Sequence, residues 1–300
     1  MKVRAKVPAT SANMGPGFDT LGLALNLYNK IEVEEISSGL EVVSLNPTGY
    51  IPKDERNMIY RAAKVVFDEV GYDMKGLRII QNSEIPMTRG LGSSSACIVG
   101  GMLCANVISG RKLSYERIVH LAAKMEGHPD NVAPALYGGF CVSLTVGDTT
   151  IVKSTKLNPD IKYALMIPNY AVSTRHSREV LPSKVSFSDA VYNISHASIL
   201  QAALISGDTK CLKYGVKDRL HQSCRKKQID MMEEIFSHAY KCGSCGTYLS
   251  GSGPTILSIL DEDYDGFEKE MKVYFEQNSL SWDCKIVEIN NVGSVVCVLD

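Results

Sequence analysis

The sequence has almost no surplus of either charge. Its 32 lysines and arginines nearly balance 33 aspartates and glutamates, so the formal net charge is −1 at pH 7. Proteins that bind nucleic acids carry clustered positive charge that neutralises the backbone phosphates. This sequence has no such basic region, and it has no block of acidic residues either. We therefore expect no nucleic-acid partner.

Long apolar runs are also missing. No stretch approaches the ~18 consecutive apolar residues that suggest a membrane span, and the segment MKVRAKVPAT interleaves charged with apolar residues, unlike a secretory leader. The nine cysteines are scattered, mostly in apolar surroundings such as those of Cys97 and Cys141. This pattern is typical of reduced thiols and not of a disulfide framework. We expect a cytoplasmic protein that does not associate with membranes.

The best-known nucleotide and hydrolase motifs are absent as well. No G-x-x-x-x-G-K-[ST] sequence occurs, which excludes a Walker-type phosphate loop. Gly15-Pro-Gly17 does not continue as G-x-G-x-x-G, because Thr20 occupies the third glycine position. Neither Gly92–Ala96 nor Gly251–Pro254 fits the G-x-S-x-G pattern of serine hydrolases.

The apolar residues alternate between strand-like and helix-like patterns in two halves of the chain. Its 300 residues exceed what a single core usually holds, which favours two domains. Residues 2–9 alternate as a strand, and residues 57–70 have helical spacing. The alternation begins again at Tyr163. These features predict an α+β fold with one domain over residues 1–157 and a second over residues 158–300.

One stretch, PMTRGLGSSSA, combines glycines and serines directly before an apolar run. Gly90 and Gly92 allow positive φ angles and let the backbone approach a ligand closely. The run that follows, Ala96–Ile108, is apolar on every face, which indicates a buried helix. The first N–H groups of a helix are unpaired and attract anions, phosphate above all. Taken alone, the stretch could equally be a turn with Ser93 as a helix cap.

Two further polar clusters accompany this stretch. Residues 126–131, EGHPDN, follow an amphipathic helix and offer carboxylate, imidazole and amide groups. Mg2+ is usually held by one or two carboxylates together with phosphate oxygens, so a carboxylate near a phosphate site suits it. By itself the cluster is also compatible with a helix end and a solvated loop. The third cluster, Ser250–Pro254, is a second glycine-rich turn, and most such turns have no further role.

Together with PATSANMGPGFD near the N-terminus, these clusters resemble the motifs of the GHMP small-molecule kinases, in the same order and over nearly the whole chain. The details are most similar to the homoserine kinase branch, which shares Ser11-Ala-Asn13, Gly17-Phe-Asp19 and the segment 127–134. The resemblance implies a two-domain GHMP kinase architecture. Its N-terminal domain would resemble ribosomal protein S5 domain 2, its C-terminal domain would be ferredoxin-like, and the active site would lie between them.

The resemblance also implies an ATP site. Asn57 would lie near the adenine, and Ser94 and Glu126 would hold Mg2+. The residues that would wrap the ATP phosphates are Pro86, Met87, Thr88, Arg89, Gly90, Leu91, Gly92, Ser93, Ser94, Ser95 and Ala96.

A site for the amino acid L-homoserine follows from the same resemblance. Asp19, helped by Asn13, would bind the ammonium group, and Arg178 and Arg225 would bind the carboxylate, for which a planar guanidinium is well shaped. One departure concerns Asp218–Arg225, which reads DRLHQSCR where the family usually has DRLHEPYR. The final arginine is kept, but the changed residues before it leave its setting open.

Four residues are implied at the reacting end. Thr174 and Asn131 would approach the substrate hydroxyl, and Gly253 would bring backbone close to the substrate. We favour Asn131 as the group that positions the hydroxyl over Asp130 as a general base, because phosphoryl transfer depends mainly on alignment and charge neutralisation.

The reaction implied is transfer of the γ-phosphoryl group of ATP to the side-chain hydroxyl of L-homoserine, a step of threonine biosynthesis. Two alternatives stay open: another GHMP kinase with an isoprenoid or a sugar as acceptor, or a non-catalytic sensor of the same fold. The family further implies a homodimer.

Overall fold

The computed structural model describes residues 1–47, 49–262 and 264–299, apart from the side chains of Thr174 and Arg175. Helices and strands alternate along it. The strands are β1 (Lys2–Ala12), β2 (Leu21–Glu35), β3 (Gly39–Ser44), β4 (Gly76–Ser83), β5 (Phe140–Val146), β6 (Thr149–Thr155), β7 (Lys162–Pro168), β8 (Gly246–Leu249), β9 (Ile256–Leu260), β10 (Trp282–Glu288) and β11 (Val295–Leu299). The helices are α1 (Met58–Val70), α2 (Ser93–Ile108), α3 (Tyr115–Glu126), α4 (Val132–Tyr137), α5 (Thr174–Glu179), α6 (Phe187–Ser206), α7 (Thr209–Gly215), α8 (Gln222–Arg225), α9 (Met232–Lys241) and α10 (Tyr264–Gln277).

The first sheet has the order β11-β1-β2-β4-β3, and β5 and β6 continue it from the start of β2. Strand β2 is long enough to have two partners on one side. Its residues Leu21–Leu23 pair with β5, and Asn29–Glu35 pair with β4. Strands β3 and β4 are parallel and are connected through α1, while the other neighbours are antiparallel.

The second sheet has the order β10-β7-β9-β8, with every neighbouring pair antiparallel. Along the chain its elements follow as strand, helices, two strands, helix and strand, which is the β-α-β-β-α-β arrangement of a ferredoxin-like unit. The predicted α+β fold with a ferredoxin-like second unit is confirmed.

The two sheets divide the chain between Thr155 and Lys162. The predicted domains, 1–157 and 158–300, stay a prediction, and the sheets add one detail to them. After α10 the chain forms two strands, β10 and β11. The second of them, β11, returns to the first sheet and pairs with β1. It thereby covers an edge of β1 that would otherwise offer unpaired N–H and C=O groups.

Helix boundaries follow local signals. The side chain of Asn57 accepts hydrogen bonds from the N–H groups of Ile59 and Tyr60, at 3.0 and 3.3 Å, and so caps α1. Gly71 ends this helix in the left-handed conformation. Among the helices in the described part of the chain, none combines the length and apolarity needed to cross a bilayer.

Helix α2 is the centre of the first unit, as its uniformly apolar sequence predicts, and nearly all of its residues are buried. It packs against α1 on one side and the strands β1 and β2 on the other. Two glycines permit this close approach. A Cβ atom on Gly101 would lie 2.5 Å from the backbone oxygen of Ile59, and one on Gly100 would lie 2.5 Å from the Cδ1 atom of Ile31.

We expect Gly101→Ala to destabilise the protein more than Gly100→Ala. Alanine is favoured over glycine within a helix by about 1 kcal/mol at both positions. At residue 101 the new methyl group collides with backbone, whereas at residue 100 it meets the mobile end of a side chain. Overpacking of a core costs about 1–3 kcal/mol, so the free energy of unfolding in urea should fall clearly only for Gly101→Ala. Equal stability of the two variants would contradict this packing.

Candidate active site

A cavity of about 320 Å³ lies where the two units meet. Its walls include the loop before α2, the residues that follow α3, the loop between β1 and β2, and two segments of the second unit that carry Arg178 and Arg225. Segments that are far apart in the sequence thus contribute polar groups to one cleft.

The loop before α2 has the shape of an anion site. Met87–Ser94 line the cleft, and both Gly90 and Gly92 have positive φ angles, 73° and 68°. Gly92, and not Ser93, is the N-cap residue of α2, and no side chain caps this end. The free N–H groups and the positive end of the helix dipole therefore lie at the cleft. Pro86, Ser95 and Ala96 are not among the lining residues.

The glycine-rich turn Ser250–Pro254 holds this loop from behind. The hydroxyl of Ser250 donates to the backbone oxygen of Gly90 at 2.6 Å and contacts the hydroxyl of Ser11 at 2.8 Å. The N–H of Thr255 donates to the backbone oxygen of Arg89. The third sequence cluster is therefore a brace for the first one.

Arg89 is directed to the second unit. Its Nε donates to the carbonyl of Pro168 at 3.0 Å, and its Nη2 donates to the carbonyl of Asn169 at 2.6 Å. A further bond joins Nη1 to the carbonyl of Met87. Burial lowers the pKa of Arg89. The guanidinium lies at the wall of the cleft, but its hydrogen bonds link the loop to the end of β7.

Glu126 lies next to the anion site and gathers two serine hydroxyls. Ser94 Oγ donates to Glu126 Oε2 at 2.9 Å, and Ser95 Oγ donates to Oε1 at 3.0 Å. The family resemblance implied the pairing of Ser94 with Glu126 but not the contact of Ser95, which is fully buried. One carboxylate and one hydroxyl at the mouth of an anion site form an all-oxygen donor set, which fits Mg2+.

A smaller cavity of about 80 Å³ adjoins the cleft and contains Asn57. Pro52, Met58 and Met87 line both spaces, so the two share part of their walls. Asn57 is 2% exposed, and besides capping α1 it donates to the carbonyl of Pro52 at 3.0 Å. Its position beside the loop is consistent with the prediction, although its amide is already engaged by backbone groups.

A hydrogen-bonded chain lies beside the anion site, next to Gly92. The hydroxyl of Thr10 donates to Asn131 Oδ1 at 2.7 Å, Asn131 Nδ2 donates to Asp130 Oδ1 at 3.3 Å, and the same oxygen lies 2.5 Å from His128 Nδ1. Asp130 is 1% exposed. Burial acts to lower the pKa of His128, but the hydrogen bond and the charge of Asp130, together with Asp19 and Glu126, raise it overall. Thr10 and His128 were not among the predicted site residues; for His128 the signal was its place within the EGHPDN run.

An ion pair between the two units closes one side of the cleft. Arg178 Nη2 contacts Asp19 Oδ1 at 2.6 Å, and Nη1 contacts Oδ2 at 3.1 Å, which makes the pair bidentate. Asn13 stabilises this arrangement, because its Oδ1 accepts a bond from the backbone N–H of Asp19 at 3.0 Å and its Nδ2 donates to the carbonyl of Gly251. All three predicted residues therefore lie in one contact network.

Arg225 is 2% exposed and also lines the cleft. It donates to the carbonyls of Ser177 and Gly251, at 3.2 and 2.9 Å. Burial, followed by the charge of Arg178, lowers the pKa of Arg225 to about 10. Both guanidinium groups lie near the ring of Phe18, whose centroid is 5.4 Å from Cζ of Arg178 and 5.5 Å from Cζ of Arg225.

The changed residues before Arg225 do not remove it from the cleft. Gln222, where the family usually has glutamate, is buried, and its Oε1 accepts a bond from the N–H of Leu249 at 2.7 Å. The N–H of Gln222 in turn donates to Asp218 at 2.7 Å. The short helix α8 is thus anchored at its start, which places Arg225 at its end.

Gly253 does not lie where the resemblance implied, and the side chain of Thr174 is not among those that the structure describes. A Cβ atom on Gly253 would point at Leu249 and Ile229, and Gly253 is not a lining residue, whereas Gly251 and Ser252 are. The direction of a turn residue depends on how the turn packs, which its sequence does not reveal. The side chain of Thr174 lies outside the described part of the chain; its backbone begins α5.

Comparisons with known proteins agree with this geometry. The family model for the GHMP kinases N terminal domain matches residues 57–139, and the model for the GHMP kinases C terminal matches residues 199–270. The chain is 46% identical to a homoserine kinase of Caldicellulosiruptor saccharolyticus over 98% of its length and 96% of that relative. It is 43% identical to a homoserine kinase of Clostridium beijerinckii, covering 98% of both chains.

A solved structure gives the same answer. The crystal structure of homoserine kinase from Cytophaga hutchinsonii aligns with a TM-score of 0.89 at 26% identity, covering 99% of this chain and 97% of that one.

The raised pKa of His128 predicts a pH-dependent contribution to stability. A group with a raised pKa in the folded state stabilises fully below its unfolded value, about 6.5 for histidine, and this contribution disappears as the pH rises through the folded value. We therefore expect His128→Gln to lower the free energy of unfolding more at pH 5.5 than at pH 8.5. Urea unfolding at both pH values measures the difference between variant and parent. A difference independent of pH would contradict the paired, protonated state of His128.

Proposed function

Since this chain belongs to the homoserine kinases of the GHMP superfamily, we propose that it transfers the γ-phosphoryl group of ATP to the side-chain hydroxyl of L-homoserine. The product would be O-phospho-L-homoserine, an intermediate of threonine biosynthesis. The observation that carries this proposal is the bidentate Asp19–Arg178 pair, with buried Arg225 beside it, in the same cleft as the free N-terminus of α2.

ATP would bind with its phosphates at residues 87–94 and the start of α2. The helix already fixes the free N–H groups there, so they need not reorient when negative charge develops. Such preorganised donors are the condition for efficient electrostatic stabilisation. The adjoining cavity beside Asn57 and Met58 would take the adenine. Its partly apolar wall suits an aromatic base, and it shares Met87 and Ser93 with the phosphate loop.

Mg2+ would be held by Ser94 and Glu126, the oxygen donors at the edge of the phosphate loop. When bound, the metal neutralises phosphate charge that develops during transfer. Ser95 keeps the carboxylate of Glu126 oriented through its second oxygen.

When homoserine binds, the Asp19–Arg178 ion pair would be replaced by two ion pairs with the substrate. Homoserine has an ammonium and a carboxylate, and each matches one partner of the Asp19–Arg178 pair. Asp19, with Asn13 behind it, would take the ammonium, and Arg178 would take the carboxylate together with Arg225. The exchange would leave each charge of the pair with an opposite partner, and it would bring a carboxylate to Arg225, which is 2% exposed and whose charge is costly to leave unpaired. A mevalonate or sugar acceptor lacks the ammonium, and would leave Asp19 without a partner once the pair opened.

At the reacting end, Asn131 would hold the substrate hydroxyl in line with the γ-phosphate, and Thr174 would approach from the second unit. Gly253 would act through the shape of its turn, with Gly251 and Ser252 presenting backbone to the cleft. The loose transition state of phosphoryl transfer needs alignment more than a strong base. Asp130 is already hydrogen-bonded to His128 and Asn131, and this favours a role in orienting Asn131 over a role as general base.

The protein would act as a homodimer in the cytoplasm. Helix α6 carries a row of exposed apolar side chains on one face, among them Phe187 at 86%, Val191 at 49%, Ile194 at 67% and Ile205 at 58%. Between residues 190 and 206 the helix has no Lys, Arg, Asp or Glu. Such a patch is typical of an interface, and a second copy pairing about a two-fold axis would cover it. The nine cysteines are free thiols, as expected in the reducing cytoplasm.

The first test is ADP release with L-homoserine, galactose or mevalonate as acceptor. Homoserine alone should stimulate it. In the Arg178→Met variant, kcat/KM for homoserine should fall roughly 10- to 100-fold, since a hydrogen bond to a charged group contributes about 1.5–3 kcal/mol. The KM for ATP should not change.

Arg219→Met is the matched control for this test. Arg219 pairs with Asp189 at the surface, with its side chain 52% exposed, and exposed pairs contribute little. An absence of homoserine-dependent ADP release from the parent protein would contradict the proposed function. An equal effect of both substitutions would contradict the role of Arg178.

A second test separates positioning from general-base catalysis. We expect Asp130→Asn to keep most of the turnover, because asparagine can occupy the same space and still accept a bond from Asn131. Loss of a general base typically costs about 100- to 10,000-fold in rate. A measured kcat for Asp130→Asn within that range of loss would identify Asp130 as the base.

A further inference from the structure

We propose that Thr10 is a positioning residue that orients the amide of Asn131 toward the substrate hydroxyl. This inference rests on the proposed function, in which Asn131 holds the hydroxyl. Thr10 lies near the end of β1, is fully buried, and is not among the residues that line the cleft. Any effect of its side chain on the reaction must therefore pass through a neighbour.

The orientation of the Asn131 amide follows from the groups on its two sides. One end faces Asp130 Oδ1 at 3.3 Å. A carboxylate oxygen accepts hydrogen bonds, so the group that faces it must be the NH2 and not the carbonyl oxygen. The amide oxygen then points to Thr10, at 2.7 Å. Thr10 must donate its hydroxyl proton, because the amide oxygen has no proton to offer.

This arrangement prepares the amide oxygen for the reaction. A carbonyl oxygen has two lone pairs, and Thr10 occupies one of them. Asn131 lines the cleft, so the second lone pair is available to accept a bond from the substrate hydroxyl. Without the Thr10 hydroxyl, only the bond to Asp130 would restrain the amide, and its plane could rotate away from the in-line geometry.

Thr10 also links the phosphate loop to the amide of Asn131. Its backbone N–H donates to the carbonyl of Leu91 at 3.2 Å, within the phosphate loop. A Cβ atom on residue 92 would lie 1.9 Å from Thr10 Oγ1 and 3.2 Å from Asn131 Oδ1. Glycine at position 92 thus leaves room for the Thr10–Asn131 bond, directly beside the start of α2. One residue therefore keeps the phosphate loop and the hydroxyl-positioning amide in register.

The test compares Thr10→Val, which keeps the shape and removes the hydroxyl, with Thr10→Ser, which keeps the hydroxyl. Misplacement of a reacting group by about 1 Å can cost roughly 100-fold in rate. We expect Thr10→Val to lower kcat by roughly 10- to 100-fold, while Thr10→Ser stays close to the parent protein. The Kd for ATP should be the same in all three proteins, because the backbone bond to Leu91 is kept.

Three results would overturn the proposal: an unchanged kcat in Thr10→Val, an equal loss in Thr10→Ser, or a loss of ATP affinity that accounts for the loss of rate. Thr10→Ala replaces Thr10→Val if the latter does not fold, as judged by its thermal unfolding midpoint. A readout independent of turnover is the side-chain amide resonance of Asn131, identified by its absence in Asn131→Asp. Its hydrogens should exchange faster in Thr10→Val than in Thr10→Ser. If the parent protein lacked homoserine-dependent turnover, the proposed function would fail, and this exchange measurement would still decide whether Thr10 orients the amide.

Discussion

The N-terminus of helix α2 is the constraint on which the rest of the site depends. A helix that is apolar on every face has to be buried, but its first N–H groups need partners. The protein resolves this conflict by ending the burial at Gly92, where no side chain caps the helix and the N–H groups lie at the cleft. The brace from Ser250 and the carboxylate of Glu126 are arranged around this one helix end. An anion site therefore results from the way the core is built.

The charges of the cleft are arranged in opposed groups. Glu126, Asp19, Asp130 and His128 are close enough to affect one another, and Arg178 and Arg225 balance them from the second unit. Asp19 and Arg178 pair directly, so each balances the charge of the other on that side of the cleft. A zwitterion fits such a site better than an ion of either sign, since it replaces the internal pair with two equivalent ones. Under the proposed function, specificity for an amino-acid head group would follow from charge balance between the two units.

Much of the local structure could be predicted because its causes are local. The burial of α2, the helical spacing that becomes α1 and the positive φ angles allowed at Gly90 and Gly92 follow from residues within each segment. The family motifs added the expectation that the loop before α2, Glu126 and Asp19 would share a site. Other features had no local cause. The return of β11 to the first sheet depends on an exposed edge of β1, nearly three hundred residues away.

The sequence by itself determined the fold class, the helix that must be buried and the types of residue available for an anion, a metal and a zwitterion. Only the tertiary structure decided which donor meets which acceptor. In it, Arg89 donates to the carbonyl of Pro168 at the end of β7, and Ser95 donates to Glu126. Gly253 faces away from the cleft, and Thr10 donates to Asn131. The physical reason is range. Backbone conformation responds to adjacent residues, whereas a hydrogen bond forms only where packing brings distant segments within about 3 Å.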